Sequence, residues 1–399
     1  MKKIIIICSL ILLTSCTYHA DDMSTDERLS SEIKEINDEV DNSELQINGT
    51  VQNKQKINTV KVKEKEEEIK EEKIKEEKYE DIDISFLGDV MTDSFIGDYV
   101  DSNGVDYPFE QVGNILNGDD ITIANFESSI SLRGETFKPK GFGFRSKPYT
   151  LEGLVNNGID TVSLANNHIL DFGEVAFRDT IDSLEKYDIR HVGAGENINQ
   201  AEKPLIIEQD NYTIGVVAYN SILPWESWKA SKNGVGTSWF TKDYNDKIIE
   251  NIKSTKKNCD LVFVILHWGI EYSDKPEEWQ IELAHRMIDA GADGVIGHHP
   301  HVLQGIEIYN EKPILYSIGN FVFLKKDEDA GRTGIFQLKY NGGSFIQGQY
   351  HPVYLKYCKA NLLHTDSEMG KGYIKYLADL SEDFNATVLE DGIFRKDFD

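Results

Sequence analysis

The sequence has few cysteines, too few basic residues to balance its acidic ones and no long apolar run, and these deficits exclude several kinds of protein. Its four cysteines include no CxxC pair, which excludes a zinc ribbon. Whether Cys259 and Cys358 form a disulfide cannot be read from the sequence. With 42 basic against 69 acidic residues, the formal net charge is −27. A field of that sign repels polyanions, so a general attraction to nucleic acid or to an anionic membrane surface is excluded.

The first sixteen residues have the organisation of an export signal. Two lysines precede an apolar run from Ile4 to Leu13, which is too short to span a bilayer and fits a signal-peptide core. The run ends in Thr14-Ser15-Cys16, and this end resembles a bacterial lipobox. We therefore expect a lipoprotein signal peptide over residues 1–15 and a lipid on Cys16 that anchors the chain to the extracytoplasmic face of the cell membrane. Ordinary secretion with a coincidental cysteine is the alternative.

Residues 16–80 lack the apolar pattern of a folded core. Between Lys61 and Lys78, all but three residues are Lys or Glu, and such a run forms helix only transiently through Glu–Lys pairs. The apolar residues are too sparse for the heptads of a coiled coil. We interpret this segment as a disordered, charged tether.

The pattern of an ordered domain begins at Asp81. Strands are predicted at 82–89, 120–125, 160–165, 212–219, 261–267, 292–296, 305–309, 313–318 and 334–340. Helices are predicted at 174–187, at 276–290 with Pro276 in the first turn, and at 372–380. These elements indicate an α/β layered domain over residues 81–365 with the strand usage of a sheet sandwich. Residues 366–399 are expected to pack as a C-terminal extension of it.

The stretch GHHPHV, residues 297–302, follows an apolar run that is typical of a buried strand. In an extended strand end, positions i and i+2 point to the same side, so His299 and His301 are expected to aim at one point. Pro300 biases His299 towards extended geometry. A polar loop with solvated histidines is the alternative, but the H-x-H spacing and the upstream HWG favour a metal site.

Five predicted strand ends finish in groups that bind divalent metals. They are Asp89, Asn125 with Glu127, Asn166-Asn167-His168, His267, and His299 with His301. Open α/β sheets build their sites at the carboxyl ends of strands, and this mixture of carboxylate, amide and imidazole suits Mn, Zn or Fe at one or two centres. Taken singly, each group also fits a turn, a surface loop, a helix cap or, for His267, a core histidine bonded to backbone.

The order of motifs GD, NxE, NNHxxD, HWGxE, GHHPH and YSIGNF resembles the CapA-type poly-γ-glutamate capsule synthesis protein family. The resemblance covers about residues 82–323 and implies a four-layer αββα sandwich of the calcineurin-like metallophosphoesterase type. It also implies metal ligands at Asp89, Glu127, Asn167, His267, His299 and His301. Met91 stands where the metallophosphoesterase pattern has a ligand histidine, so we expect one tightly and one more weakly bound metal.

If the site is hydrolytic, His168 is expected to be the general acid, oriented by Asp171. The alternative is that Asp171 begins the helix that follows. We expect substrate-binding roles for Asn125, for Arg145 in GFGFRSKP and for Glu271. Arg145 fits a surface arginine equally well, and Glu271 could instead orient His267.

The resemblance leaves more than one function open. The first is a metal-dependent hydrolase or transferase that acts on an anionic polymer such as poly-γ-glutamate, or on a phosphorylated precursor. The second is a non-catalytic surface component that binds or guides the polymer, working with other capsule-synthesis proteins. A phosphodiesterase acting on nucleotides or lipids is a third possibility, implied by the fold alone.

Overall fold

The computed structural model describes residues 79–136, 143–243 and 245–396. The predictions for the signal peptide, Cys16 and most of the tether lie outside these residues. In the described part of the chain, no helix combines the length and the apolar character needed to cross a membrane. The thiols of Cys259 and Cys358 are free, so these two residues do not pair.

The described chain forms twenty strands. In chain order they are β1 (Ile82–Val90), β2 (Ile121–Phe126), β3 (Ser129–Ile130), β4 (Arg145–Ser146), β5 (Thr161–Ser163), β6 (Arg190–Val192), β7 (Ala194–Gly195), β8 (Leu205–Gln209), β9 (Tyr212–Asn220), β10 (Gly236–Thr237), β11 (Leu261–His267), β12 (Gly294–His298), β13 (Ile306–Tyr309), β14 (Lys312–Leu315), β15 (Asn320–Val322), β16 (Arg332–Asn341), β17 (Ser344–Lys356), β18 (Lys359–Leu362), β19 (Thr387–Val388) and β20 (Ile393–Arg395).

The helices lie between these strands. They are α1 (Ser94–Asn103), α2 (Gly113–Leu116), α3 (Leu151–Asn156), α4 (Gly173–Lys186), α5 (Ile198–Ala201), α6 (Asp246–Lys256), α7 (Glu278–Asp289) and α8 (Glu368–Ser381), with short 3₁₀ turns at Pro148–Thr150, Glu226–Trp228 and Asp329–Gly331.

Two large sheets organise the domain. The ten-stranded sheet has the order β19-β20-β17-β16-β1-β2-β5-β6, with β15 beside β1 and β18 beside β17. The six-stranded sheet has the order β13-β14-β12-β11-β9-β8. Strands β1, β2, β5 and β6 are parallel, and so are β9, β11, β12 and β14. Each sheet therefore has a parallel centre whose carboxyl ends share one edge.

The two sheets pack face to face and carry helices on their outer faces. Alternate residues of β1 and β11 enter the core between the sheets, where the rings of Phe86 and Phe263 lie 5.3 Å apart. The opposite face of the ten-stranded sheet packs against α4 through Phe177, and that of the six-stranded sheet packs against α7 through Met287. This confirms the predicted four-layer αββα sandwich.

Helix α7 begins two residues later than the sequence predicts. Glu277 is its N-cap, and a reciprocal capping box joins the side chain and backbone of Glu277 to those of Gln280. Pro276 therefore precedes the cap, and its predicted place in the first turn is wrong. The capping box satisfies the first amide groups of the helix, a role the proline ring cannot perform.

The C-terminal segment is part of the sandwich. Ser367 caps α8 by accepting a hydrogen bond from the Gly370 amide. Along α8, Tyr373, Ile374 and Leu377 enter the core between the sheets. Strands β19 and β20 then extend the ten-stranded sheet beyond β17.

Candidate metal centre

The metal-type residues lie where the parallel strands of both sheets end. In the ten-stranded sheet, the register pairs Asp89 of β1 with Asn125 of β2. In the six-stranded sheet, it pairs His267 of β11 with His298 of β12. Because the two sheets face each other, these four ends meet at one edge of the sandwich. This is the arrangement predicted from the polar strand ends.

A bulge at the end of β1 positions the first carboxylate. The pairing of β1 with β2 shifts register between Leu87 and Asp89. A Cβ on Gly88 would lie 2.1 Å from the carbonyl oxygen of Gly319, so only glycine allows the two backbones to approach this closely. The amide of Asp89 donates a hydrogen bond of 3.0 Å to that same oxygen.

Asp89 is fully buried and surrounded by nitrogen atoms. Its Oδ1 accepts a hydrogen bond of 2.8 Å from Asn125 and lies 3.2 Å from Nδ1 of His298. Its Oδ2 lies 3.1 Å from Nδ1 of His301. Burial disfavours the ionised carboxylate, but the hydrogen bonds and charges of the two histidines outweigh it and hold the pKa of Asp89 well below its usual range. Asp89 is therefore an anion in this site.

Glu127 is the second buried carboxylate of the site. Its Oε1 lies 3.5 Å from Nε2 of His267, 3.9 Å from Nε2 of His168 and 4.0 Å from Nε2 of His301. Nε2 of His267 also lies 2.9 Å from the amide oxygen of Asn167. Glu127 thus faces imidazoles that follow strands of both sheets.

His299 and His301 reach the site by a route that the sequence does not predict. Strand β12 ends at His298, and the φ angles of His299 and His301 are +96° and +59°. The expected extended geometry is therefore wrong, because this turn places both residues in the left-handed region. The two rings still converge, with centroids 5.9 Å apart, and the ring of His299 lies 4.8 Å from that of His267.

His168 and Asp171 form a close pair at the rim of the site. Nδ1 of His168 lies 2.6 Å from Oδ2 of Asp171, which also accepts a hydrogen bond of 2.8 Å from the Phe144 amide. Helix α4 begins at Gly173 with Phe172 as its cap, so Asp171 does not start the helix. The pairing fixes the imidazole with Nε2 turned towards Glu127.

The charges of the site favour different protonation states on different histidines. Burial lowers the pKa of His267 well below its usual range, and the neighbouring His299 lowers it further. Burial opposes the charged form of His301 too, but Glu127 and Asp89 outweigh that effect and raise its pKa to about 9. Without a metal, a proton on His301 therefore offsets part of the negative charge of the two carboxylates.

The donor set fits a divalent metal. Ligand atoms of Glu127, His267 and His299 lie within 4.8 Å of one another, and so do those of Asp89, Glu127 and His301. Both groups are buried, and they share Glu127. Carboxylates, imidazoles and an amide oxygen, without thiolate, are the donors expected for Mn, Zn or Fe.

The predicted substrate-binding residues lie in different surroundings. Asn125 is buried between Asp89 and His267. The exposed Glu271 brings its carboxylate within 4.8 Å of ligand nitrogens of His299 and His301. The guanidinium of Arg145 lies 4.3 Å from the Phe172 ring and donates to the backbone carbonyls of Arg133 and Gly134. The charge of Arg145 therefore stabilises a loop, and its role towards a substrate stays a prediction.

Sequence reasoning missed three residues that shape the site. His298 contacts Asp89, although its place before HPH gave it no assigned role. Asn320, in the motif YSIGNF, offers its amide oxygen 2.8 Å from Nδ1 of His301 and donates to the His301 carbonyl. The ring of Phe323 stacks on His301 at 4.8 Å. For Asn320, the GNF segment of that motif was the available signal.

Solved structures include several with a similar chain path. TT1561 of Thermus thermophilus has a TM-score of 0.36 and 10% identity, covering 65% of this chain and 99% of that one. The 5′-nucleotidase from Candida albicans SC5314 has a TM-score of 0.40 and 11% identity, covering 76% of this chain and 59% of that one. Scores below 0.5 support no conclusion, so the architecture rests on the sheet order and packing described above.

Curated relatives are similar over much of the chain. The capsule biosynthesis protein CapA of Bacillus anthracis is 34% identical over 248 residues, which are 61% of this chain and 60% of that protein. The PGA biosynthesis protein CapA of Bacillus subtilis (strain 168) is 32% identical over 325 residues, which are 79% of this chain and 82% of that protein. The chain thus spans less than two thirds of the first relative and most of the second.

The sequence model described as bacterial capsule synthesis protein PGA_cap matches residues 83–325. That range runs from β1 to just beyond β15 and contains every residue of the candidate metal centre. The chain therefore belongs to the bacterial capsule synthesis protein PGA_cap family, as the CapA-type motifs predict.

Proposed function

We propose that this protein acts in the synthesis or export of poly-γ-glutamate or a related envelope polymer, as a metal-dependent hydrolase or transferase. The observation that carries the proposal is the convergence of Asp89 and Glu127 with histidines of both sheets at one edge of the sandwich. The names of the relatives, which include capsule and PGA biosynthesis proteins, support the polymer as the substrate class. A phosphorylated precursor is the other substrate that such a site fits.

The ligands proposed for the metal are Asp89, Glu127, Asn167, His267, His299 and His301. A bound divalent ion supplies Lewis acidity, which lowers the pKa of water and polarises the scissile group. We expect one tightly and one more weakly bound ion, because Met91 stands in the place of a ligand histidine. Its side chain is buried in the apolar cluster behind the site. Its sulfur accepts a hydrogen bond of 3.0 Å from the Asp93 amide.

The remaining chemistry falls to residues of the chain. In cleavage of a γ-glutamyl amide, water adds to the carbonyl carbon, the C–N bond breaks, and the departing amine takes a proton from His168. The proton that the water loses returns the imidazole to its protonated form. Asp171 holds the ring by its Nδ1, which stabilises the protonated imidazole and turns Nε2 towards the reacting group. Asn125, hydrogen-bonded to Asp89, keeps that carboxylate aimed at the cluster.

A second candidate is a non-catalytic surface component that binds or guides the polymer. Met91 is buried in the place of a metal ligand, and this favours the non-catalytic role. A site with one ligand fewer binds its second ion less tightly and is less suited to catalysis. In both cases, we propose that a lipid on Cys16 holds the protein at the extracytoplasmic face of the membrane. Other capsule-synthesis proteins are its proposed partners, and nucleic acid is not.

The test is metal content and turnover of the purified full-length chain beside the Asp89→Ala variant. We expect one or two metal ions per wild-type chain, fewer in the variant, and release of glutamate from γ-linked oligomers by wild type alone. Glu152→Ala, an exposed change on α3, is the matched control and should keep both properties. Metal-free wild-type protein after expression with Mn, Fe and Zn would overturn the enzymatic proposal. Metal without turnover would favour the binding role.

A further inference from the structure

A groove lies beside the metal centre, between α1 and the two segments around residues 322–325 and 355–359. Its volume is about 240 Å³. The lining includes Phe95, Phe323, Leu324, Lys356 and Tyr357. Phe323 joins the groove to the metal centre, because its ring also stacks on His301 at 4.8 Å.

Several apolar side chains that line the groove are exposed. The exposed fraction is 68% for Phe95, 64% for Tyr357 and 36% for both Tyr99 and Leu324. Each of these side chains lines the same groove. Contiguous exposed apolar surface of this kind marks a binding surface more often than isolated residues do.

The charged side chains that line the groove are basic, although the chain as a whole is acidic. The charged lining residues of the groove are Lys325, Lys356 and Lys359, and none is acidic. Glu328 and Glu110 pair with the first and the last of them, while Lys356 has no ion pair among the described residues. The unpaired charge of Lys356 gives an anion a local point of attraction on a chain of net charge −27.

Another lysine extends this surface towards the metal. Nζ of Lys326 lies 4.1 Å from the centroid of the Tyr272 ring, which in turn lies 6.1 Å from the ring of His301. Lys326 also has no ion pair within the described ranges. Lys326 and Lys356 are therefore cations without an ion pair among the described residues, each over an aromatic ring. Tyr272 lies between Lys326 and His301 of the metal centre.

We propose that this groove binds a segment of a γ-linked glutamate polymer and leads it to the metal centre. The proposal deepens the function proposed above and rests on it. Such a polymer alternates methylene groups in its backbone with free carboxylates. The methylene groups match the exposed rings, and the carboxylates match the unpaired lysines.

The test measures binding of a short fluorescent γ-linked glutamate oligomer to the full-length chain by anisotropy. The Glu127→Gln change is placed in every protein, so that bond cleavage does not disturb the readout. Phe95→Ser with Lys356→Gln should weaken binding about tenfold, since it removes one aromatic contact and one charge contact.

A second groove provides the matched control. Lys203→Gln with Ile206→Ser removes one exposed lysine and one exposed apolar side chain from a groove that Glu185 and Glu196 also line. This variant should bind the oligomer as tightly as its parent. Equal losses in both variants, unchanged binding in the Phe95/Lys356 variant, or no binding by the parent would each overturn the proposal.

The results that would overturn the groove proposal differ from those that would overturn the hydrolase proposal. Oligomer binding that depends on Phe95 and Lys356, without cleavage by wild type, supports the groove and removes the hydrolase. Cleavage by wild type with an unchanged KM in the Phe95/Lys356 variant supports the hydrolase and removes the groove.

Discussion

At the scale of single residues, the pair formed by His168 and Asp171 allows acid–base chemistry to be tested independently of metal binding. His168 approaches Glu127 through Nε2 and Asp171 through Nδ1. Asp171 itself lies in neither group of buried metal-type ligands that share Glu127. A change at Asp171 should therefore affect proton transfer and leave the metal in place.

We predict that Asp171→Asn lowers kcat on a γ-glutamyl substrate roughly 10²-fold, because the imidazole loses the carboxylate that stabilises its protonated form. Metal content should stay at the wild-type value. The pH–rate profile should also change, since the negative charge that stabilises the protonated imidazole is removed. Asp182→Asn, an exposed change on α4, is the control. Full turnover with an unchanged pH profile would exclude the assigned role.

A second prediction concerns Asp119, at the opposite end of the sandwich. Burial raises its pKa to about 6, although hydrogen bonds from Ser85 and Gln337 act against the shift. The folded state therefore binds more protons than the unfolded state between about pH 4 and pH 6, and stability falls as the pH rises through this window. Asp119→Asn removes that loss.

We expect Asp119→Asn to raise the free energy of unfolding by about 1–2 kcal/mol at pH 7, because the variant no longer buries an ionised carboxylate. The gain is modest because water reaches part of the carboxyl group and screens its charge. At pH 3, where both states of the wild type are protonated, the two proteins should be equally stable. Urea unfolding at the two pH values measures this. A variant less stable than wild type at pH 7 would contradict the assignment.

At the scale of elements, two glycines have different roles: one is required by a close backbone contact and the other is not. Gly88 lies at the bulge of β1 against Gly319, while a Cβ added to Gly372 in α8 would meet no atom within 4 Å. Gly88→Ala should lower the stability by several kcal/mol and reduce metal content, because Asp89 moves with the bulge.

The matched variant Gly372→Ala should raise the free energy of unfolding by roughly 0.5–1 kcal/mol, since alanine favours helix and meets no obstacle. Thermal melts and metal analysis of both variants check the pair. Wild-type metal content and stability in Gly88→Ala would show that the bulge does not position Asp89.

The elements differ in how far their sequences define them. Strands such as β1 and β11 were predicted because apolar residues fill one or both of their faces. Strand β17 was missed because Gly348 and Pro352 interrupt its pattern, and its structure depends on pairing with β16, as between Phe336 and Tyr350. The residues of the site were predicted from the same strands, because polar residues that follow parallel strands lie together at the carboxyl edge of the sheet. The left-handed turn at His299 was not predicted. The sequence shows only the local preference of a residue before proline for extended backbone, whereas contacts with the rest of the fold determine this turn.

At the scale of the whole molecule, the described residues after position 365 close the core. Tyr373, Ile374 and Leu377 of α8 and Phe394 of β20 are buried between the sheets. We predict that a chain ending at residue 365 is insoluble or binds a dye specific for exposed apolar surface, because removing these side chains opens the core to water. A chain ending at residue 396 should behave as wild type. A soluble, cooperatively unfolding 365-residue chain would contradict this.

Strand β1 lies between a partner that follows it closely in sequence and a partner near the other end of the chain. Its Ile84 pairs with Ile121 of β2 on one side and with Leu338 of β16 on the other. The first of the described strands in chain order is therefore among the last to be completed, and the loop that must close is very long. Folding should be slow, and Asp89 should reach its final position only after the C-terminal third of the chain has joined the sheet.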